Sequence, residues 1–148
     1  MKHMTPLQFI AELHRLQASF EDVVRDGLKE AAEIVEEEAK DRIGSYQSAA
    51  GPFTAWDPLE PSTRERRVSE GFTADDPLHR SGELQRSIEH SVGRNEAVIG
   101  SNNEAALPNE MGTGHAPPRS FLGGALYSKA DEVVEVIGNR VFNHLAGR

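Results

Sequence analysis

Six histidines, an aspartate pair and the hydroxyls of Ser81 and Thr113 beside glycine are the side chains that could do chemistry, and none stands at a spacing that does it. His3, His14, His79, His90, His115 and His144 contain no His-Glu-x-x-His pair, the spacing that sets two imidazoles around zinc on one helix face. They read as scattered surface or packing residues. Asp75-Asp76 precedes Pro77 and reads as turn chemistry. Ser81 lacks the Gly-x-Ser-x-Gly elbow of a nucleophile and suits a helix cap. Gly112-Thr113-Gly114 lacks the lysine and the full spacing of a phosphate loop, and reads as an unusual backbone turn. With no cysteine there is no disulfide, thiolate site or thiol nucleophile, which fits a reducing compartment. No catalytic residue, metal or cofactor is expected.

The residues that suggest recognition are of another kind. Arg64, Arg66 and Arg67 form the best basic cluster. They serve either helix-surface ion pairs or docking onto an acidic surface such as the acidic helix of a neighbouring copy. Trp56, the only tryptophan, is either a core residue or an anchor for an adjacent subunit, because Trp and Arg are enriched at interface hot spots.

Composition narrows the classes. The 148 residues suit one domain, 1–148, with a modest core; 37% are hydrophobic and only 6% aromatic, so that core is aliphatic. Part of such a chain can find its burial on other subunits. A net charge of −8 disfavours nucleic-acid binding as the main role, since a duplex binder needs a basic face. No stretch is apolar enough to span a bilayer. The opening Met1-Lys2-His3-Met4 has neither the apolar run nor the cleavage site of a signal peptide.

The elements follow from periodicity. Thr5-Pro6-Leu7-Gln8 starts a helix with a capping box. Apolar residues then recur every three or four positions from Leu7 to Ile43, and Gly44-Ser45 ends the run, giving a helical region over 5–44. Unbroken it would be about 57 Å long at 1.5 Å per residue. Ser19-Phe20-Glu21-Asp22 could cap a second helix and Gly27 costs roughly 1 kcal/mol relative to Ala, so a short helix leading into a long one is favoured. Glu30, Glu33, Glu36, Glu37, Glu38 and Asp41 form an acidic outer face, either solvated or meeting a basic neighbour. Residues 45–80 are irregular, interrupted by Pro52, Pro58, Pro61, Gly71 and Pro77, with a short helix from Pro61 to Gly71; such a segment is an arm or loop. Residues 81–122 hold a helical turn at 81–86, a hairpin turning at Gly93-Arg94-Asn95-Glu96, and a third extended piece between Glu110 and Phe121. An amphipathic C-terminal helix covers 123–146. The fold class is α+β: the long N-terminal and the C-terminal helix packed on a small antiparallel sheet.

From Trp56 to Leu126 the ordered motifs resemble the phage virion morphogenesis and tail-completion proteins, together with the related head–tail joining and tail-component families. A W-x-P-L-x-x-x-T element is matched by Trp56, Pro58, Leu59 and Thr63. Leu78, Ser81, Gly82, Leu84, Ser87 and Ile88 match the next element, Ala106, Glu110, Met111, Gly112 and Thr113 part of a third, and Pro117, Arg119, Phe121, Leu122, Ala125 and Leu126 the last. Ala105 replaces the usual tyrosine, Met111 the usual aromatic and Ser120 the usual proline.

The resemblance implies a non-enzymatic virion component at the neck or the head-proximal end of the tail, assembled in the host cytoplasm. It would act as a homo-oligomeric ring, often a hexamer, that docks onto neighbouring neck or tail proteins. A head-to-tail contact repeated around an axis closes such a ring. The interface residues expected are Trp56, Arg64, Arg66, Arg67, Glu110, Thr113, His115 and Arg119. Residues 45–80 are expected to order on assembly, and Arg119 to fork onto a partner's carboxylate. A small adaptor or regulator of a bacterial host is the alternative.

Overall fold

Residues 4–147 are described by the computed structural model. Met1, Lys2, His3 and Arg148, and with them the reading of His3, lie outside the described residues.

Helix α1 spans Pro6–Arg42 and opens as its sequence dictates. Gln8 N donates to Thr5 Oγ1 at 3.2 Å and Thr5 N to Gln8 Oε1 at 2.9 Å, so the box satisfies two otherwise orphaned amides. The expected break does not occur; α1 is continuous. Ser19 does not cap a new helix, because its hydroxyl is engaged within this one, donating to Leu16 O at 3.1 Å and lying 3.2 Å from His144 Nε2. Gly27 is buried where a second helix passes close, and that packing offsets its poor propensity.

The helices α2 (Pro61–Ser69) and α3 (Glu83–Arg86) precede a hairpin of β1 (Ile88–Val92) and β2 (Ala97–Ser101). The strands are antiparallel, with Val92 opposite Ala97 and Ile88 opposite Ser101, and Gly93 N donates to Glu96 O at 2.8 Å across the turn. Two strands alone bury too little to hold; α1 covers this pair. The third extended piece is not formed. Residues Ala106–Met111 make a helix, α4, in which Pro108 sits early enough for its missing amide to cost nothing. Beyond it only an isolated Thr113–Ala116 bridge remains.

Helix α5 (Leu122–Leu145) runs antiparallel to α1 and packs chiefly on it. Arg42 Nη2 donates to Ser128 Oγ at 2.5 Å, Arg140 Nε to Glu30 at 2.7 Å, and His144 meets Ser19. The overlap therefore ends near residue 19 of α1. The helix continues past it for roughly 20 Å at 1.5 Å per residue.

The core gathers at the other end of α1, where Val35, Ala39 and Ile43 meet Trp56, Leu84, Ile88, Ala106, Phe121 and Ala125. Residues 45–80 are irregular but packed onto this body in the single chain. Trp56 N donates to Gln47 O at 2.9 Å, Leu59 N to the Tyr46 hydroxyl at 3.0 Å, and Trp56, Leu59 and Pro77 are buried. The expectation of an arm that waits for assembly to order does not hold for this segment.

Candidate partner interface

The expected interface residues divide into those that hold the fold and those that face outward. Glu110 belongs to the first group. Its carboxylate accepts the backbone amides of Phe121, Leu122 and Gly123, each at 2.9 Å, and the Ser120 hydroxyl at 2.5 Å. Helix α5 has no side-chain cap from its own N-cap residue, Phe121. Glu110, delivered from α4, satisfies the open amides there and sets a negative charge against the positive helix end.

Gly112 begins the return. Its φ is +76° and a Cβ there would lie 2.8 Å from Pro118 N, so only glycine fits. Thr113 Oγ1 then accepts from His115 N at 3.2 Å and Ala116 N at 3.1 Å, closing a tight exposed tip that carries His115.

Arg119 is 7% exposed and does not reach outward. Its Nη2 and Nε donate to Asp57 O at 2.8 and 3.3 Å, tying the last motif to the first. The expectation of a fork onto a partner's carboxylate is corrected: the acceptor is a main-chain carbonyl of the same chain. Arg67 is likewise buried and donates to Asp76 O at 2.6 Å. Trp56, 5% exposed, is a core residue in the folded chain and is not free to anchor a neighbour.

Of those left outward, Arg64, Arg66 and His115 line a cleft of about 990 Å³, and Thr113 lies outside it. Three of the sequence motifs converge on it. Pro58, Leu59 and Thr63 come from the first, Leu78, Ser81, Gly82 and Leu84 from the second, and Pro117 and Arg119 from the last. The backbone is under tension here, for Leu78 has φ +62°, a left-handed conformation that costs about 1–2 kcal/mol without glycine.

Five arginines line the cleft (Arg64, Arg66, Arg67, Arg80 and Arg119) against the acids Asp57, Glu60 and Glu83. Burial lowers the Arg67 guanidinium from its ordinary value; Asp76 opposes the shift, while the charges of Arg80 and Arg119 add to it. Arg80 is bonded to Glu70 at 2.5 Å and lies 4.9 Å over the Phe72 ring. Arg64 Nε lies 3.2 Å from Asp75 Oδ1, but its N–H is not directed at that oxygen and has no hydrogen-bond partner among the described residues. Arg66 is exposed.

Sequence reasoning missed Arg80 and Leu78 as cleft residues, although both belong to or adjoin the second motif. It also missed a bare apolar face on the projecting part of α1. Phe9 is 55% exposed and Leu13 48%, with Ile10 and Leu16 exposed on the same side of the helix. The signal was present: a C-terminal helix of 123–146 is too short to cover an apolar stripe running from Leu7 to Ile43.

A polar seam closes the other side of α1. Glu36 accepts hydrogen bonds from Lys40 and from His90 Nδ1 of the hairpin. Burial alone would raise its carboxyl, but the bonds from Lys40 and His90 outweigh it and leave the group below its ordinary value. The acidic face is thus divided. Glu30, Glu36 and Glu38 turn to partners within the chain, and Glu33, Glu37 and Asp41 stay exposed. Among the described residues no group of three or more His, Asp or Glu could hold a metal ion, and no helix is long and apolar enough to cross a membrane.

No curated protein and no solved structure matches this chain. A family model does, over residues 8–145, taking in both long helices as well as the motif region between them. By that match the chain belongs to the phage virion morphogenesis family.

Proposed function

We propose that this protein is a structural component of the neck or the head-proximal end of a phage tail, and that it works as a ring of copies docked onto neighbouring virion parts. Family membership supports a role in building the virion. The observation that carries the finer reading is the projecting part of α1. A helix side bearing Phe9, Ile10, Leu13 and Leu16 exposed to water forgoes the gain of burying them, up to about 1.5–3 kcal/mol for each large apolar side chain. A chain that completes its core on a neighbour recovers it. The output of such a protein is fit, not bond-making, and no cofactor enters.

The test has two parts. Native mass spectrometry and negative-stain imaging of the purified protein should give a closed oligomer that Leu13→Glu reduces to folded monomers. In the source phage, deleting the gene should leave filled heads and tails unjoined or tails unfinished, with infectivity restored by the gene supplied in trans. Normal particles from the deletion, or a wild-type chain that is monomeric both in solution and on the particle, would overturn the reading.

A further inference from the structure

We infer that the arginine-lined cleft receives the exposed acidic ridge of α1, Glu33–Glu37–Asp41, from a second copy of the chain. This rests on the assembly reading above and names the two surfaces that meet.

Two patches of opposite sign are each poorly neutralised in the single chain. In the cleft, the buried guanidiniums of Arg67 and Arg119 hydrogen-bond to main-chain carbonyls and to no carboxylate, although the Asp76 charge acts on Arg67. Arg64 has an undirected Nε, and Arg66 makes no ion pair among the described residues. The wall carries five arginines against Asp57, Glu60 and Glu83, and two of the five are paired from outside it, Arg64 with Asp75 and Arg80 with Glu70. Within a concave wall of low polarisability the charge of Arg66, Arg67 and Arg119, which make no ion pair among the described residues, is focused into the opening. Guanidinium groups answer best to carboxylates, which take two parallel N–H bonds from one fork.

The ridge is the complement. Glu33, Glu37 and Asp41 are spaced by four, so they stand in line on one face, about 12 Å from first to last at 1.5 Å per residue. All three are exposed, and like charges at this spacing repel. Lys29 approaches only Glu33, and only to 4.0 Å. The other basic residues of this stretch are committed elsewhere, Lys40 to Glu36 and Arg42 to Glu38. Lys129, bonded to Glu132, feels Asp41 only at longer range.

No residue of α1 lines the cleft, so a chain does not seat its own ridge. The contact is between different surfaces of two copies, the head-to-tail kind that closes into a ring when the rotation permits. Each joint relieves repulsion on both sides, which steers the correct pairing and raises the on-rate.

Charge reversal tests it. Arg66→Glu and Glu37→Arg both change exposed side chains and should leave the circular dichroism spectrum intact. Each variant alone should associate about tenfold more weakly or worse by sedimentation at low salt. An equimolar mixture of the two should recover, because each keeps the surface the other has lost. Glu135→Arg on α5, with the same net charge as Glu37→Arg, should associate like the wild type. Single variants that assemble normally, or a mixture that stays dissociated, would overturn the cleft–ridge contact while leaving assembly through α1 standing. A wild-type chain that forms no oligomer at all would remove both readings together.

Discussion

Along α1, Ala31, Ala32, Val35 and Ala39 are buried, whereas Phe9, Ile10, Leu13 and Leu16, on the side of the helix that continues their stripe, are exposed. The inversion of size is the instructive part. The half with small side chains lies inside the molecule, where α5, the hairpin and the 45–80 segment converge on it and little room is left. The half with large side chains meets nothing. Periodicity says that a helix has an apolar face; it does not say which molecule supplies the cover. A helix made only to complete its own core would place its bulk at the crowded end, and this one does the reverse.

The sharpest way to break that contrast is to cut one large side chain from each half of the molecule. Phe121, 0% exposed at the centre of the core, should cost about 3–5 kcal/mol when changed to alanine. Leu13→Ala should change monomer stability by less than about 0.5 kcal/mol and weaken association instead. Urea unfolding below the association concentration, paired with sedimentation, reads both. If Leu13→Ala destabilises the monomer as a core mutation does, the projecting half is packed against the chain after all.

Second in size is Glu110. Glu110→Ala leaves amides of α5's first turn without acceptors and removes a charge from the helix end, for a loss of about 2 kcal/mol. Hydrogen exchange should show the amides of Phe121, Leu122 and Gly123 opening before the rest of α5. Uniform loss of protection, or none, would show that the carboxylate does not cap this helix.

Glu110 also shows what the sequence could and could not disclose. Elements set by local chemistry were legible: the Thr5–Gln8 box, the Pro61 helix start, the Gly93 turn and the amphipathic last helix all stand where their residues put them. So was the family, because its motifs are ordered strings. The roles inside those strings were not. Glu110 and Arg119 carry the charges of interface residues, and only their contacts eleven and sixty-two residues away reveal that they tie the chain to itself. Gly27 looked like a break for the same reason: its cost is local and its compensation comes from α5. The third extended piece does not form because Glu110 and Met111 end helix α4 and the left-handed Gly112 folds the chain back on itself, leaving only the Thr113–Ala116 bridge.

The next effect is smaller and depends on pH. Glu36 joins α1 to the hairpin, and its carboxyl sits below the ordinary value of 4.5. The folded chain therefore holds on to fewer protons there than the unfolded one. The stabilisation is complete above that ordinary value and is lost as pH falls through the lower folded value. Glu36→Gln should be less stable than the wild type near about pH 7, and the gap should close as pH falls through the lowered folded value, below 4.5. A gap that stays constant would mean that the seam is held by shape and not by the charge.

The smallest effect lies at Gly27, within the part of α1 that α5 covers. A Cβ there would stand 3.5 Å from Ile137 Cα and 3.5 Å from Arg140 Cδ, ordinary contact distances that require no shift of α5. Gly27→Ala should therefore recover helix propensity, up to about 1 kcal/mol, and add a little buried surface. For a chain of this length the melting temperature should rise by about 2–4 °C. Association should not change, since the new methyl faces α5 and not the projecting stripe. A lower melting temperature would mean that the helices need a closer approach than these distances show. Glycine would then set the angle at which the bare half of α1 leaves the body, and the same variant would be expected to alter assembly as well.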